Sequence, residues 1–214
     1  MKSFCSILCI FFYALLLSQN NKLQQYRNSY CLKNCSKYKK EQKWITDKNP
    51  PPAPQRGVYP VFKQAFSIPL NVRKTIYPFD NYDTMYVVSP NFVTETNEPR
   101  NYLENKFHNK TRIITSAELD KLSDILFNYY LFNDIYRTGF TSNESYKCIQ
   151  DSFPSIILLF MRKGKFEKYI AFPDKGKDRY NFTDNEYSNF DMSKDKEKKI
   201  LELFKHDITP YKCN

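Results

Sequence analysis

Ser155-Ile156-Ile157-Leu158-Leu159-Phe160-Met161, then Arg162-Lys163-Gly164-Lys165, then Phe166 to Phe172, is the stretch on which the fold turns. A continuous apolar run of this length, followed at once by a Lys-Gly pair, predicts a fully buried strand, a turn and a second strand. The expected unit is a β-hairpin.

Helix signals flank it on both sides. Upstream, Thr115 with Glu118 three residues on matches a capping box, in which each side chain satisfies a backbone donor of the first turn. Leu119, Leu122, Ile125, Leu126 and Tyr129 then recur at three- and four-residue steps and form one apolar stripe. Downstream, a helix is expected from about Lys194 to His206. Ser193 is its cap, Ile200, Leu201 and Phe204 share one face, and Asp195 and Lys199 form a supporting i,i+4 pair.

Further upstream, β-branched and aromatic residues dominate from Gly57 to Leu70 and from Thr84 to Ser89. Short strands are expected there, with Pro60, Pro69, Pro78 and Pro90 marking edges or strand ends. Asn91 to Thr111 is polar, contains Pro99 and reads as loop. Together these elements predict an α+β fold, an antiparallel sheet with helices packed on one face. A thioredoxin-like arrangement is the alternative, but its Cys-X-X-Cys is absent.

The N-terminus carries an address. Met1 to Gln19 has one Lys, an apolar run from Phe4 to Leu17 and a polar drop at Ser18-Gln19-Asn20, the pattern of a secretory signal peptide. The run is shorter than the roughly 20 apolar residues that span a bilayer, so an uncleaved anchor is the lesser reading. Residues 20–56 are expected as a Lys- and Pro-rich segment ending in the stiff spacer Asn49 to Pro54, and residues 57–214 as a single domain. Within the segment, Cys31, Cys35 and Tyr38 stand at helical spacing.

Leader removal leaves four cysteines, Cys31, Cys35, Cys148 and Cys213. An even number in an exported chain favours disulfides. Three pairings are open, and Cys31 with Cys35 and Cys148 with Cys213 is preferred, the second closing the long C-terminal loop.

The chain has 33 Lys and Arg against 23 Asp and Glu, a net charge of +10. Lys greatly exceeds Arg, so bidentate phosphate recognition is poorly served and nucleic acid is not the expected partner. A solvated basic surface accounts for most of the charge.

No catalytic or cofactor motif stands out, and no cofactor or metal is expected. A zinc site would have to assemble Cys31, Cys35, Cys148, Cys213, His108 and His206 without the spacing of paired knuckles. A hydrolase has only His108 and His206 as bases, and no Gly-X-Ser-X-Gly elbow is present. Asp174, Asp178, Asp184, Glu186 and Asp191 supply oxygens for calcium, but Lys175, Lys177 and Arg179 oppose that charge. The expected binding patch is an exposed aromatic group, Tyr129, Tyr130, Phe132 and Tyr136.

Leu122 to Leu126, Cys148, Pro154, Ile156 to Phe160, Gly164-Lys165, Tyr169 to Phe172 and Leu201 to Ile208 follow one another in an order that resembles a group of small exported proteins of Bacteroidota with no assigned activity. Those proteins carry cysteines near the end of the second strand, where this chain has Ala171-Phe172-Pro173. The resemblance implies the fold and the compartment and no mechanism. The functional expectation is a non-enzymatic binding or interaction protein of the cell envelope or exterior, periplasmic or extracellular. Its partner would be a protein or an envelope polymer, with membrane contact only through an uncleaved leader. An envelope hydrolase is the alternative.

Overall fold

Strands β5 (Pro154–Arg162) and β6 (Lys165–Pro173) form the expected hairpin, with Leu158 opposite Ile170 and Leu159 opposite Tyr169. The computed structural model describes residues 22–46, 57, 59–91, 101–133, 154–173, 181–182 and 191–208. Lys163 and Gly164 both turn at positive φ, 50° and 76°, as a two-residue type I′ connection requires. The backbone N–H of Lys163 donates to Asp83 at 2.7 Å, which ties the turn to the neighbouring strand.

That neighbour is β2 (Thr84–Pro90), antiparallel to β5 with Val87 opposite Leu158. On its far side β2 pairs with β3 (His108–Ile113), while β6 pairs with the short β7 (Asn181–Phe182). The five-stranded order is β3-β2-β5-β6-β7. Pro90 and Pro154 sit at strand ends, where a missing N–H costs no interior ladder bond. The loop expected through Thr111 stops short: residues 108–111 belong to β3. Their polar composition fits an edge strand, in which only some side chains need cover.

Both faces of this sheet are covered. On one lie α4 (Ser116–Asn128) and α5 (Lys194–Leu203), whose Leu122, Leu126, Phe127, Ile200 and neighbouring Phe204 pack with Val87, Ile156, Leu158, Phe160, Ile170 and Phe172. Thr115 and Glu118 form the full capping box, and the Ser193 side chain accepts from the Lys196 N–H. On the other face, Tyr102 and Phe107 close over Val88, Ile157, Leu159, Tyr169 and Ala171. The helices therefore lie on one face, and a segment carrying the 3-10 turn Asn105–Phe107 covers the other. This is why β5 has no polar alternation: Ile156, Leu158 and Phe160 face the helices while Ile157 and Leu159 face the loop.

The N-terminal segment joins the same core. Residues 22–29 form a helix, α1, and Cys35–Thr46 a second, α2. Leu23 and Tyr38 from these helices lie in one cluster with Ile156 and Phe160. The expected boundary at Asn49 to Pro54 lies outside the described residues, but the chain on either side of it enters one core. Beyond it, β1 (Val61–Gln64) pairs antiparallel with β4 (Tyr129–Phe132) in a separate two-stranded ribbon, and Leu70–Arg73 makes one helical turn, α3.

Polar side chains fasten these parts. Asn128, buried at the end of α4, accepts from the Ile68 N–H at 2.9 Å and donates to the Ile68 carbonyl at 3.2 Å. Arg73 is buried and donates to the Ile68 carbonyl, Ser123 Oγ and the carboxylate of Asp120. Arg112 of β3 holds Glu118 at 2.9 Å and Asp207 at 2.6 Å, joining the sheet edge to the start of α4 and the turn after α5.

Leu158 is wholly buried, so Leu158→Ala should cost about 3 kcal/mol, read as a lowered denaturant midpoint with unchanged slope. Hydrogen bonding to Arg112 holds the Glu118 carboxyl at about 2, below its ordinary 4.5. Its contribution is complete above pH 4.5 and is lost as pH falls toward 2. Glu118→Gln should therefore lower stability by roughly 1–2 kcal/mol at pH 7, a gap that closes toward pH 2 in paired unfolding curves.

Candidate functional site

The Cys31 and Cys35 sulfurs stand at disulfide-bonding distance, with Cα atoms 5.8 Å apart. The pair closes the turn between α1 and α2. Just outside it, Tyr30 to Leu32 runs along the chain that continues β1. The Leu32 N–H donates to the Ala65 carbonyl at 2.9 Å and the Ser67 N–H to the Tyr30 carbonyl at 2.8 Å. Between them, the Phe66 N–H points the other way, to the Asn128 carbonyl. Tyr30 to Leu32 thus makes an isolated antiparallel bridge just past the end of β1, on the side away from Asn128. Cys148 and Cys213 lie outside the described residues.

The expected aromatic patch is not exposed as a group. Tyr130 and Phe132 are buried: Tyr38 of α2 meets Tyr130 edge-on at 5.1 Å, and Tyr130 meets Phe132 at 4.9 Å. Strand alternation explains the correction, because one side of β4 lies against α2 and the core. Tyr129, on the opposite side, is half-buried and stacks on Phe62 at 5.4 Å. Tyr136 lies outside the described residues.

Lysines roof these rings. Lys37 of α2 and Lys63 of β1 stand over the one Phe132 ring, 5.7 and 5.1 Å from its centroid. Lys199 stands 4.8 Å over Tyr129, and Lys40 5.0 Å over Trp44. Among the described residues no carboxylate pairs with Lys37, Lys63 or Lys199, so the expected Asp195–Lys199 pair does not form and the tyrosine ring takes the ammonium instead. The stems cover apolar surface and the charges remain on the outside. Beside them Tyr59 is 76% and Val61 47% exposed.

Beneath this surface lies an ionic group that sequence periodicity missed. Arg27 of α1, buried, donates to both carboxylate oxygens of Asp191, at 3.0 and 3.3 Å, and to the Phe127 carbonyl at 3.2 Å. Its guanidinium also lies 5.1 Å over the Phe66 ring. Lys196 of α5, fully buried, donates to the same carboxylate at 3.2 Å. Asp191 turns at φ 41° to reach both cations, with its side chain 31% exposed. The sequence groups it with the acidic residues after the hairpin; in the fold it is the shared anion of α1 and α5. Lys196 precedes Ile200 by four residues on the buried stripe, the one signal in the sequence that it points inward.

Burial lowers the Lys196 ammonium to about 8, with the Asp191 charge opposing the fall. Burial also raises the Tyr130 phenol, and the Glu41 and Asp191 carboxylates push it further. An amine so depressed is a nucleophile in principle. Here Lys196 is sealed and donates to a carboxylate that Arg27 also holds, so the group ties helices together.

The histidines are placed differently from one another. His108 is buried at the start of β3, 6.1 Å from the Phe166 ring, and burial lowers its pKa; its Nε2 has no hydrogen-bond partner among the described residues. His206 is exposed after α5. No hydrogen bond among the described residues joins either one to a serine or cysteine nucleophile. No group of three His, Cys, Asp or Glu side chains among the described residues could hold a metal. Asp174, Asp178, Asp184 and Glu186 lie outside the described residues. No protein family, curated protein or solved structure matches this chain.

Lys196 has a lower pKa in the fold than its ordinary 10.5, so the unfolded chain binds more protons between about pH 8 and 10.5 and stability rises through that window. Relative to Lys196→Met, the unaltered protein should gain roughly 2–3 kcal/mol from pH 7.5 to 10.5, measured as paired urea midpoints.

Proposed function

We propose that this chain is an exported protein that acts by binding, through a basic and aromatic surface, and does no covalent chemistry of its own. One observation carries the reading: Lys37, Lys63 and Lys199 stand over aromatic rings and make no ion pair among the described residues. Unneutralised ammoniums held over apolar ground attract an anionic partner at long range and give it apolar area at contact. The aromatic contribution comes from Tyr59, Phe62 and Tyr129 at the ribbon.

Three features support export. Met1 to Gln19 has the signal-peptide pattern, the order of elements from Leu122 to Ile208 resembles that of exported proteins of Bacteroidota, and Cys31 and Cys35 stand at bonding distance, compatible with an oxidising compartment. No helix among the described residues is long and apolar enough to cross a membrane. Periplasm or exterior is the proposed location.

Intact mass of the protein recovered from an exporting host, before and after denaturing alkylation without reductant, tests this reading. The expected result is loss of about the first 19 residues, with no thiol alkylated and Cys31 linked to Cys35 in the peptide map. A full-length mass with reactive thiols would overturn it.

A further inference from the structure

Beyond the end of β1 in the two-stranded ribbon, an isolated antiparallel bridge begins what would be a third strand and then stops. Tyr30 to Leu32 pairs antiparallel with Ala65 to Ser67, along the edge that faces away from β4. Continued in the same direction, the chain would next lie beside Gln64 and Lys63. It does not: Asn34 turns at φ 62° and Cys35 begins α2, with the Cys31–Cys35 pair holding the two ends of the turn together. The edge of Val61–Gln64 that the third strand would have covered has no partner among the described residues. Val61 and Gln64 are exposed there.

An open strand edge binds any extended chain through its backbone unless something selects. Here charge selects. Val61 and Lys63 lie on the same side of β1 as Tyr130 and Phe132, the side on which Lys37 also stands. Two ammoniums therefore share one ring on that side. They repel a second copy of this basic chain and any lysine-bearing strand, and they attract carboxylates. On the opposite side of β1, Phe62 stacked on Tyr129 offers an apolar ledge, capped at its Tyr129 end by Lys199. An incoming strand that matches both sides alternates acidic and apolar residues, because successive side chains of a strand point to opposite faces.

The geometry points to an acidic, extended polypeptide segment as the partner, added as a strand along Val61–Gln64 in line with Tyr30 to Leu32, its carboxylates toward Lys37 and Lys63 and its apolar side chains toward Phe62. This inference rests on the binding function proposed above and names the partner's class.

The test uses the protein recovered from the exporting host and a short fluorescent peptide alternating Glu and Val, read by anisotropy at low and moderate salt. Three comparison probes accompany it: the same peptide N-methylated at alternate amides, a peptide alternating Lys and Val, and dextran sulfate. The alternating acidic peptide should bind saturably and weaken with salt. N-methylation and the double substitution Lys37→Glu, Lys63→Glu should each weaken it about tenfold or more, and Lys205→Glu, at an ammonium that pairs with Glu202 and stands over no ribbon ring, should change it less than twofold. The double variant's circular dichroism is checked first, and the N-methylated probe leaves the protein untouched.

Equal binding of the Lys peptide, indifference to the double substitution, or no binding at all would overturn the proposal. Indifference to N-methylation, with dextran sulfate competing at the same lysines, would also overturn it and make the site a polyanion surface. Failure with a processed, disulfide-linked protein sinks the partner and spares the export reading; a retained leader with free thiols sinks the latter.

Discussion

A strand that offers only apolar side chains from Ile156 to Phe160 has to be covered twice, and the rest of this structure depends on that cover. Burying each such side chain is worth about 1.5–3 kcal/mol, a gain realised only if both faces are closed to water. Amphipathic α4 and α5 close one face. The other is closed by Tyr102 and Phe107, two large rings carried on a loop. A ring buries more area per residue than an aliphatic side chain, so two aromatics on an irregular segment substitute for a helix. The cover is asymmetric, and the sheet is still buried on both sides.

Apolar cover does not by itself fix where the N-terminal helices and the ribbon sit, and buried polar groups supply that registration. Three arginines each join elements distant in sequence: Arg27 to Asp191, Arg73 to Asp120 and Ser123, Arg112 to Glu118 and Asp207. The planar fork of each side chain meets more than one acceptor, which sets orientation as well as distance. Among the described residues Arg27 and Arg73 are buried ties, while most lysines lie at the surface. Lys196 is fully buried, and its depressed pKa is the cost of placing an ammonium on the buried stripe of α5.

The elements legible in the sequence were those whose signals are local. The Lys163-Gly164 turn, the Thr115–Glu118 box and the stripe ending in Ile200 and Phe204 each lie within a short window, and each formed as expected. The α+β fold followed from them. The ribbon was not legible, because β1 and β4 are about 70 residues apart and each is only four residues long. Nor was the inward turn of Tyr130 and Phe132, since the run Tyr129-Tyr130-Leu131-Phe132 has no polar alternation to say which side meets a helix brought from elsewhere. The role of Asp191 was hidden for the same reason: its partners, Arg27 and Lys196, come from α1 and α5. His108 fell in a segment too polar to signal a strand, because an edge strand can form with little apolar content.

The candidate surface is a consequence of how this chain covers aromatic rings. With abundant lysine, and rings at Phe132 and Tyr129 near the molecular boundary, the lysine stems complete the burial that leucine or valine would otherwise provide. An aliphatic cover would leave a neutral ledge beside a strand edge that no described residue covers, a place where copies of the protein could pair with one another. A lysine cover buries the same ring and leaves an ammonium above it, so that packing and charge are set by one side chain. The edge of Val61–Gln64, uncovered among the described residues, is thereby flanked by positive charge, which disfavours pairing with a second copy of this basic chain.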